Sequence, residues 1–184
     1  MIFVFSAPSG SGKSTLINFL MNEVDGLRFS VSATSRAPRG TERDGVEYHF
    51  LSPDAFRALI QQDAFIEYEE VYAGTFYGTL KSEVDNALKR GENLVLDIDV
   101  KGALNVKRLY GEQAFLIFIQ PPSIDVLRQR LENRHTDSAE KINQRVEKAA
   151  YELTFAPQFD AVVINDDLQT AEKEILALVK QHLA

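Results

Sequence analysis

Lys13 and Ser14 close the run Ala7-Pro8-Ser9-Gly10-Ser11-Gly12-Lys13-Ser14-Thr15, in which glycines and small hydroxyl residues lead up to a lysine. Small side chains leave backbone N–H groups open to converge on phosphate oxygens. Lys13 is then placed to reach the β and γ phosphates of a nucleotide. Ser14 is placed to put its hydroxyl on Mg²⁺, a hard cation that takes oxygen ligands. The run fits G-x-x-x-x-G-K-[ST] except that Ala7 stands for the first glycine, a change the loop accepts where that backbone keeps a negative φ. A Gly/Ser turn with a solvated lysine is the bland alternative, and the flanks weigh against it. Ile2-Phe3-Val4-Phe5 reads as a buried strand, and Leu16, Ile17, Phe19, Leu20, Met21 and Val24 recur at helical spacing. Strand, glycine-rich turn and helix together add the unpaired donors and the dipole of a helix N-terminus.

Other charged residues can extend this chemistry. Arg36 and Arg39 stand three apart around Pro38, and two guanidinium forks can hold a phosphate dianion, although a surface loop would look the same. Asp97 and Asp99 end the apolar run Asn93-Leu94-Val95-Leu96-Asp97-Ile98 and are expected to share one face of a strand. Asp97 could hold a water of Mg²⁺ or orient an arginine, and strand-end capping is the plain alternative for either acid. Arg130, Arg134 and Arg145 lie in charged helical patterns, where arginines are commonly just solvated. Asn165-Asp166-Asp167 follows an apolar run and serves equally as a turn and helix cap. His49, His135 and His182 form no metal or triad spacing.

These residues need a scaffold, and the hydrophobic pattern supplies one. Unpunctuated apolar runs at 2–5, 93–98, 114–119 and 161–164 alternate with helical patterns near 80–90, 100–109, 124–134 and 168–183. Apolar strands without alternation suit a parallel sheet covered on both faces, so the fold class is α/β. Two stretches break the rhythm. Residues 32–79 alternate polar and apolar, which predicts a small half-exposed mixed sheet inserted into the core. Residues 121–155 hold two charged helical patterns, entered at Pro121-Pro122-Ser123, and predict a helical flap. With 184 residues there is room for one substantial core with such insertions. A net charge of −7 argues against broad binding to nucleic acid or anionic membrane. The chain has no cysteine, which excludes a disulfide framework and a thiolate nucleophile. No apolar run approaches membrane-spanning length and no targeting segment is visible, so a soluble cytoplasmic protein is expected.

The succession S-A-P-S-G-S-G-K-S-T, F-S-V-S-A-T-S-R-A-P-R-G, E-Y-H-F, F-I-E-Y, F-Y-G-T, L-D-I-D, R-L-E-N-R and V-I-N-D-D-L resembles the guanylate kinase family, in that family's order and along nearly the whole chain. The resemblance implies a P-loop core (about 1–31, 80–120 and 156–184), a GMP-binding lobe (about 32–79) and a mobile lid (about 121–155). It implies transfer of the γ-phosphoryl group from MgATP to GMP, in purine nucleotide metabolism. ATP would lie on residues Ala7 to Thr15 and Asn165, and Mg²⁺ on Ser14, with Asp97 acting through water. GMP would lie on Ser32, Arg36, Arg39, Tyr48, Glu67, Tyr77, Thr79 and Asp99. Arg36, Arg39, Tyr48 and Tyr77 would hold its phosphate, and Ser32, Glu67 and Thr79 would read guanine. Lys13, Arg36, Arg134 and Arg145 would carry catalysis. Small-molecule substrates are the expected partners, with no nucleic acid and no membrane, and self-association is left open. This sequence departs from the family pattern where Arg134 sits between Asn133 and His135, and in a longer turn at Val71-Tyr72-Ala73-Gly74-Thr75-Phe76. Two rivals remain: a guanylate-kinase-like binding module without the chemistry, and a P-loop kinase with a different acceptor.

Overall fold

The computed structural model describes residues 1–133 and 137–183, with Tyr72 described through its backbone alone. In chain order the elements are β1 (Ile2–Ser6), α1 (Lys13–Glu23), β2 (Leu27–Phe29), β3 (Ala33–Thr34) and β4 (His49–Phe50). Then come α2 (Pro53–Gln61), β5 (Phe65–Tyr72), β6 (Thr75–Leu80), α3 (Lys81–Lys89), β7 (Asn93–Asp97) and α4 (Val100–Tyr110). The last are β8 (Ala114–Gln120), α5 (Ile124–Glu132), α6 (Ala139–Leu153), β9 (Ala161–Ile164) and α7 (Leu168–Leu183). They form two compact units, residues 1–27 with 95–184, and residues 28–94.

The larger sheet runs β2-β7-β1-β8-β9. β1 and β8 pair in parallel from Ile2 opposite Ala114 to Ser6 opposite Phe118, and β8 and β9 continue in parallel from Ile117 opposite Ala161. Every residue of β1 is buried, because helices cover both faces and no polar alternation is needed. In the first unit Phe3, Phe5, Leu16, Leu20, Ile117, Val163, Ile175 and Val179 form one cluster that holds α1 and α7 on the sheet. The expected α/β architecture is therefore present. The fifth strand, β2, is absent from the sequence reading because it has only three residues and none of them is buried.

α5 and α6 pack on each other through a small core of their own: Leu127, Leu131, Ile142, Val146 and Ala149. Ser123 and Ser138 cap them, accepting from the N–H groups of Val126 and Lys141.

The second unit contains the mixed sheet β4-β3-β6-β5. It also contains α2, a helix that the alternating pattern of 32–79 did not suggest. Its start signal is nevertheless in the sequence: Ser52 accepts from the Ala55 N–H, and Pro53 takes the first helical position. Phe56 of α2 stacks on Phe65 and Phe76, with ring centroids 4.4 and 5.4 Å away, so the helix covers one face of the sheet. The turn between β5 and β6 is the two residues Ala73 and Gly74, the latter at φ 79°. The expectation that Asp97 and Asp99 share a strand face is corrected, since β7 ends at Asp97. Asp99 is the N-cap of α4 and accepts from the Gly102 N–H at 2.7 Å. Its carboxylate answers the orphan donors of a helix start.

No helix among the described residues is long and apolar enough to cross a membrane.

Candidate active site

The phosphate loop links the C-terminal end of β1 to α1. Gly10 and Gly12 take positive φ, 96° and 85°, while Ala7 is not among the positive-φ residues, so alanine there costs no backbone strain. Gly12 is required for a second reason: a Cβ at this position would fall on the side-chain amide of Asn165. That amide donates to the Ser11 carbonyl at 2.8 Å and is buried. Asn165 therefore braces the loop from the end of β9 through one of the two N–H donors of its amide. Ser11 Oγ is buried and has no hydrogen-bond partner among the described residues. Lys13 Nζ is ion-paired with Asp97 Oδ1 at the end of β7, which joins the helix-borne cation to the strand-end acid.

Two cavities share this loop. The first, of about 460 Å³, is lined by residues 7 to 15, Asp97, Ile98, Asp99, Arg145, Lys148 and Glu152. Arg145 reaches it from α6 and donates through Nη1 to Ser9 Oγ at 2.6 Å, while its Nε lies 3.3 Å from Asp137 Oδ2. Burial pushes the Glu152 carboxyl above its ordinary range, and Asp99 adds to that, although Lys148 and Lys13 oppose it. The second cavity, of about 400 Å³, is lined by Gly10, Gly12, Thr15, Arg130, Asn133, Asn165, Asp166 and Leu168. Arg130 Nη2 donates to the Asn165 carbonyl at 2.9 Å, so this arginine shapes the loop after β9 and is not merely a solvated charge. Both volumes are on the scale of small-ligand sites. A nucleotide whose phosphates lie on the loop has room for a base on its other flank. Arg134 lies outside the described residues.

The second unit collects the other expected residues. In the hairpin β5–β6, Glu67 pairs with Thr79 and Glu69 with Tyr77, so the four side chains share one face. Gly78 between them is forced by contact, because a Cβ would strike the Glu67 carbonyl at 2.7 Å. Thr79 Oγ1 donates to Glu67 Oε1 at 2.6 Å. Next along the face, Arg36 Nε donates to Tyr77 Oη at 3.1 Å, and its guanidinium carbon lies 5.0 Å from the centre of the Tyr48 ring. The Tyr48 and Tyr77 rings meet edge to face at 5.7 Å. Arg39 and Ser32 belong to the segments entering this cluster, on either side of β3. Asp99 belongs to the other unit and lines the loop cavity. Glu42, which sequence reasoning passed over, makes two hydrogen bonds to Arg36 at 2.6 and 2.8 Å. Its position three residues after Arg39 in a glycine-containing turn was the available signal.

A parallel sheet with a glycine-rich loop opening a helix, and a lysine on that loop paired with a strand-end acid, defines a P-loop nucleotide-binding core. The family model described as guanylate kinase matches residues 1–182. The guanylate kinase of Bacteroides thetaiotaomicron is 56% identical over 182 residues, covering 99% of this chain and 89% of that protein. That of Porphyromonas gingivalis is 52% identical over 184 residues, covering 100% and 98%. A crystal structure of guanylate kinase from Anaplasma phagocytophilum superposes with a TM-score of 0.70 at 30% identity, covering 98% of this chain and 85% of that one. The chain belongs to the guanylate kinase family, nucleoside monophosphate kinases that phosphorylate GMP with ATP.

Proposed function

We propose that the chain catalyses phosphoryl transfer from MgATP to GMP, with the donor on the loop of the first unit and the acceptor on the face of β5 and β6 in the second. The observation that supports the acceptor most directly is the placement of Glu67 and Thr79 one step along a strand face from Tyr77 and Arg36. Positions two apart on a strand are separated by roughly 7 Å, so a base reader and a phosphate fork can serve the two ends of one nucleotide. Guanine presents N1–H and an exocyclic amine as adjacent donors, which an ionised carboxylate accepts together. Adenine turns a lone pair to the same carboxylate and is penalised as a buried mismatch. Because Thr79 directs its proton to Glu67, Ser32 is the hydroxyl left to donate to O6.

In the reaction a GMP phosphate oxygen attacks the γ phosphorus of ATP. One P–O bond forms as the bond to the β-phosphate oxygen breaks, giving GDP and ADP with no covalent enzyme intermediate. The acceptor oxygen is already anionic, so no general base is needed, and catalysis consists of positioning and charge neutralisation. Lys13 and the loop amides hold the β and γ phosphates, and Arg145 neutralises charge on the transferring group. Arg134 takes the same role by resemblance. The donors present suit Mg²⁺, since Ser14 offers a hydroxyl at the first turn of α1 and Asp97 a carboxylate able to act through water. The bound ion supplies further neutralisation of the phosphate charge. The hairpin of α5 and α6, which carries Arg145, is assigned as the lid, and residues 32–79 as the GMP lobe. A cytoplasmic location fits these substrates.

An ADP-release assay with MgATP and, in parallel, GMP, dGMP, AMP, CMP and UMP tests the proposal. Turnover with GMP and near silence with AMP is the expected result. Equal turnover of GMP and AMP would refute the reading of Glu67, and no turnover from a folded, GMP-binding chain would mark it as a binding module.

A further inference from the structure

Arg36 is held on more sides than a phosphate fork alone requires. Its Nη1 donates to Glu42 Oε2 at 2.6 Å and its Nη2 to Glu42 Oε1 at 2.8 Å, a bidentate pair on the end-on edge of the guanidinium. Nη1 also donates to the Ala37 carbonyl at 3.0 Å, and Nε donates to Tyr77 Oη at 3.1 Å. A guanidinium has five N–H donors, and among the described residues four of them are engaged. The fifth belongs to Nη2 and lies on the same edge as Nε, where the Tyr77 oxygen already accepts. Having accepted from Nε, the Tyr77 hydroxyl keeps its own proton to give. The edge of Arg36 turned away from Glu42 is thus a ready pair of donors, one from Nη2 and one from Tyr77.

Glu42 is itself fastened to the loop. Its Oε2 accepts from the Arg39 N–H at 2.7 Å, and its own N–H donates to the Arg39 carbonyl at 3.0 Å. Its carboxylate therefore bridges the two arginines, meeting Arg36 at the guanidinium and Arg39 at the backbone N–H.

We propose that Glu42 is a positioning residue for the acceptor phosphate: it locks Arg36 so that the Nε–Nη2 edge and the Tyr77 hydroxyl together face the phosphate of GMP. This rests on the reading of Arg36 as a phosphate-holding residue. Two physical accounts of Glu42 then predict opposite signs. If the carboxylate merely occupied the arginine in place of a phosphate, or lowered the local positive charge, removing its charge would tighten GMP binding. A brace acts the other way, because losing it frees the guanidinium to rotate and its ordering falls on the bound complex. The carboxyl is held down to about 2, first by the Arg36 hydrogen bonds and then by the Arg39 N–H, so the brace stays charged at any ordinary assay pH.

The test is Glu42→Gln, with Glu42→Asp and Arg36→Lys beside it. KM for GMP and for ATP, kcat, the melting temperature, and inhibition by guanosine, which carries the base without the phosphate, would all be measured. Gln keeps the shape but places an NH₂ against the guanidinium. The KM for GMP is expected to rise about ten- to a hundredfold, the scale of charge-assisted hydrogen bonds. KM for ATP and the inhibition constant of guanosine should stay within about twofold. Glu42→Asp, which retains charge at shorter reach, should recover part of the loss, and it is the variant to rely on if Glu42→Gln does not fold. An unchanged or lowered KM for GMP overturns the proposal, as does an equal loss of guanosine binding, which would mean general damage to the unit. If Arg36→Lys leaves the KM for GMP unchanged, it is the reading of Arg36 that fails.

Discussion

Gly12→Ala is the substitution for which the structure gives the most definite cost. The residue sits at φ 85°, and an L side chain in the left-handed region costs roughly 1–2 kcal/mol. The new methyl would also displace the Asn165 amide from the Ser11 carbonyl, leaving buried polar groups unpaired at about 1–3 kcal/mol. The total of about 3 kcal/mol corresponds to a fall in Tm of roughly 6–12 °C for a domain of this size. Urea and thermal unfolding of Gly12→Ala, Asn165→Ala and the double variant would measure it as a cycle. Asn165→Ala alone should lose only the hydrogen bond. Once that amide is gone the methyl has nothing to strike, so in the double variant Gly12→Ala should cost only the backbone part. The coupling is therefore expected at about 1–3 kcal/mol. Strict additivity, with coupling below about 0.5 kcal/mol, would refute the steric link between the end of β9 and the loop.

Two further outcomes are expected. Glu67→Gln replaces one acceptor by a donor facing N1–H of guanine, so the ratio of kcat/KM for GMP to that for AMP should fall by at least about tenfold; an unchanged ratio would show that Glu67 does not read the base. Glu152 has a folded-state pKa raised above its ordinary 4.5 by burial, so the stabilisation from its neutral form is fully present below that value and is lost as pH rises through the folded pKa. Glu152→Gln, which mimics the neutral form, should raise Tm at pH 7–8 with the gain vanishing near pH 4, and an equal gain at both pH values would exclude the titration as its cause.

The legibility of the chain differed from segment to segment for identifiable reasons. β1, β8, β9, α1 and α7 were readable because a sheet covered on both faces writes itself as uninterrupted apolar runs between helical stripes. α2 escaped because the polar–apolar alternation on either side of it masks its cap at Ser52 and Pro53, although both residues carry a helix-start signal. β2 escaped because a three-residue edge strand without a buried side chain leaves no periodic trace. Asp97 and Asp99 read as one strand face, but the chain turns between them and each carboxylate meets a different need: the charge of Lys13, and the open N–H groups of α4.

The sequence alone determined the phosphate loop, the α/β class and the family resemblance, since each depends on residues near one another in the chain or on motif order. Tertiary structure decided the partnerships across long separations. Asn165 became a brace for Ser11 across 154 positions, Arg145 reached Ser9 across 136, and Glu67 was set against Thr79 by strand register. Even Glu42, only six residues from Arg36, could not be assigned from spacing. A carboxylate near an arginine in sequence can point to solvent, and only the packed loop, with Tyr77 and Tyr48 closing the other sides, holds the pair in one geometry.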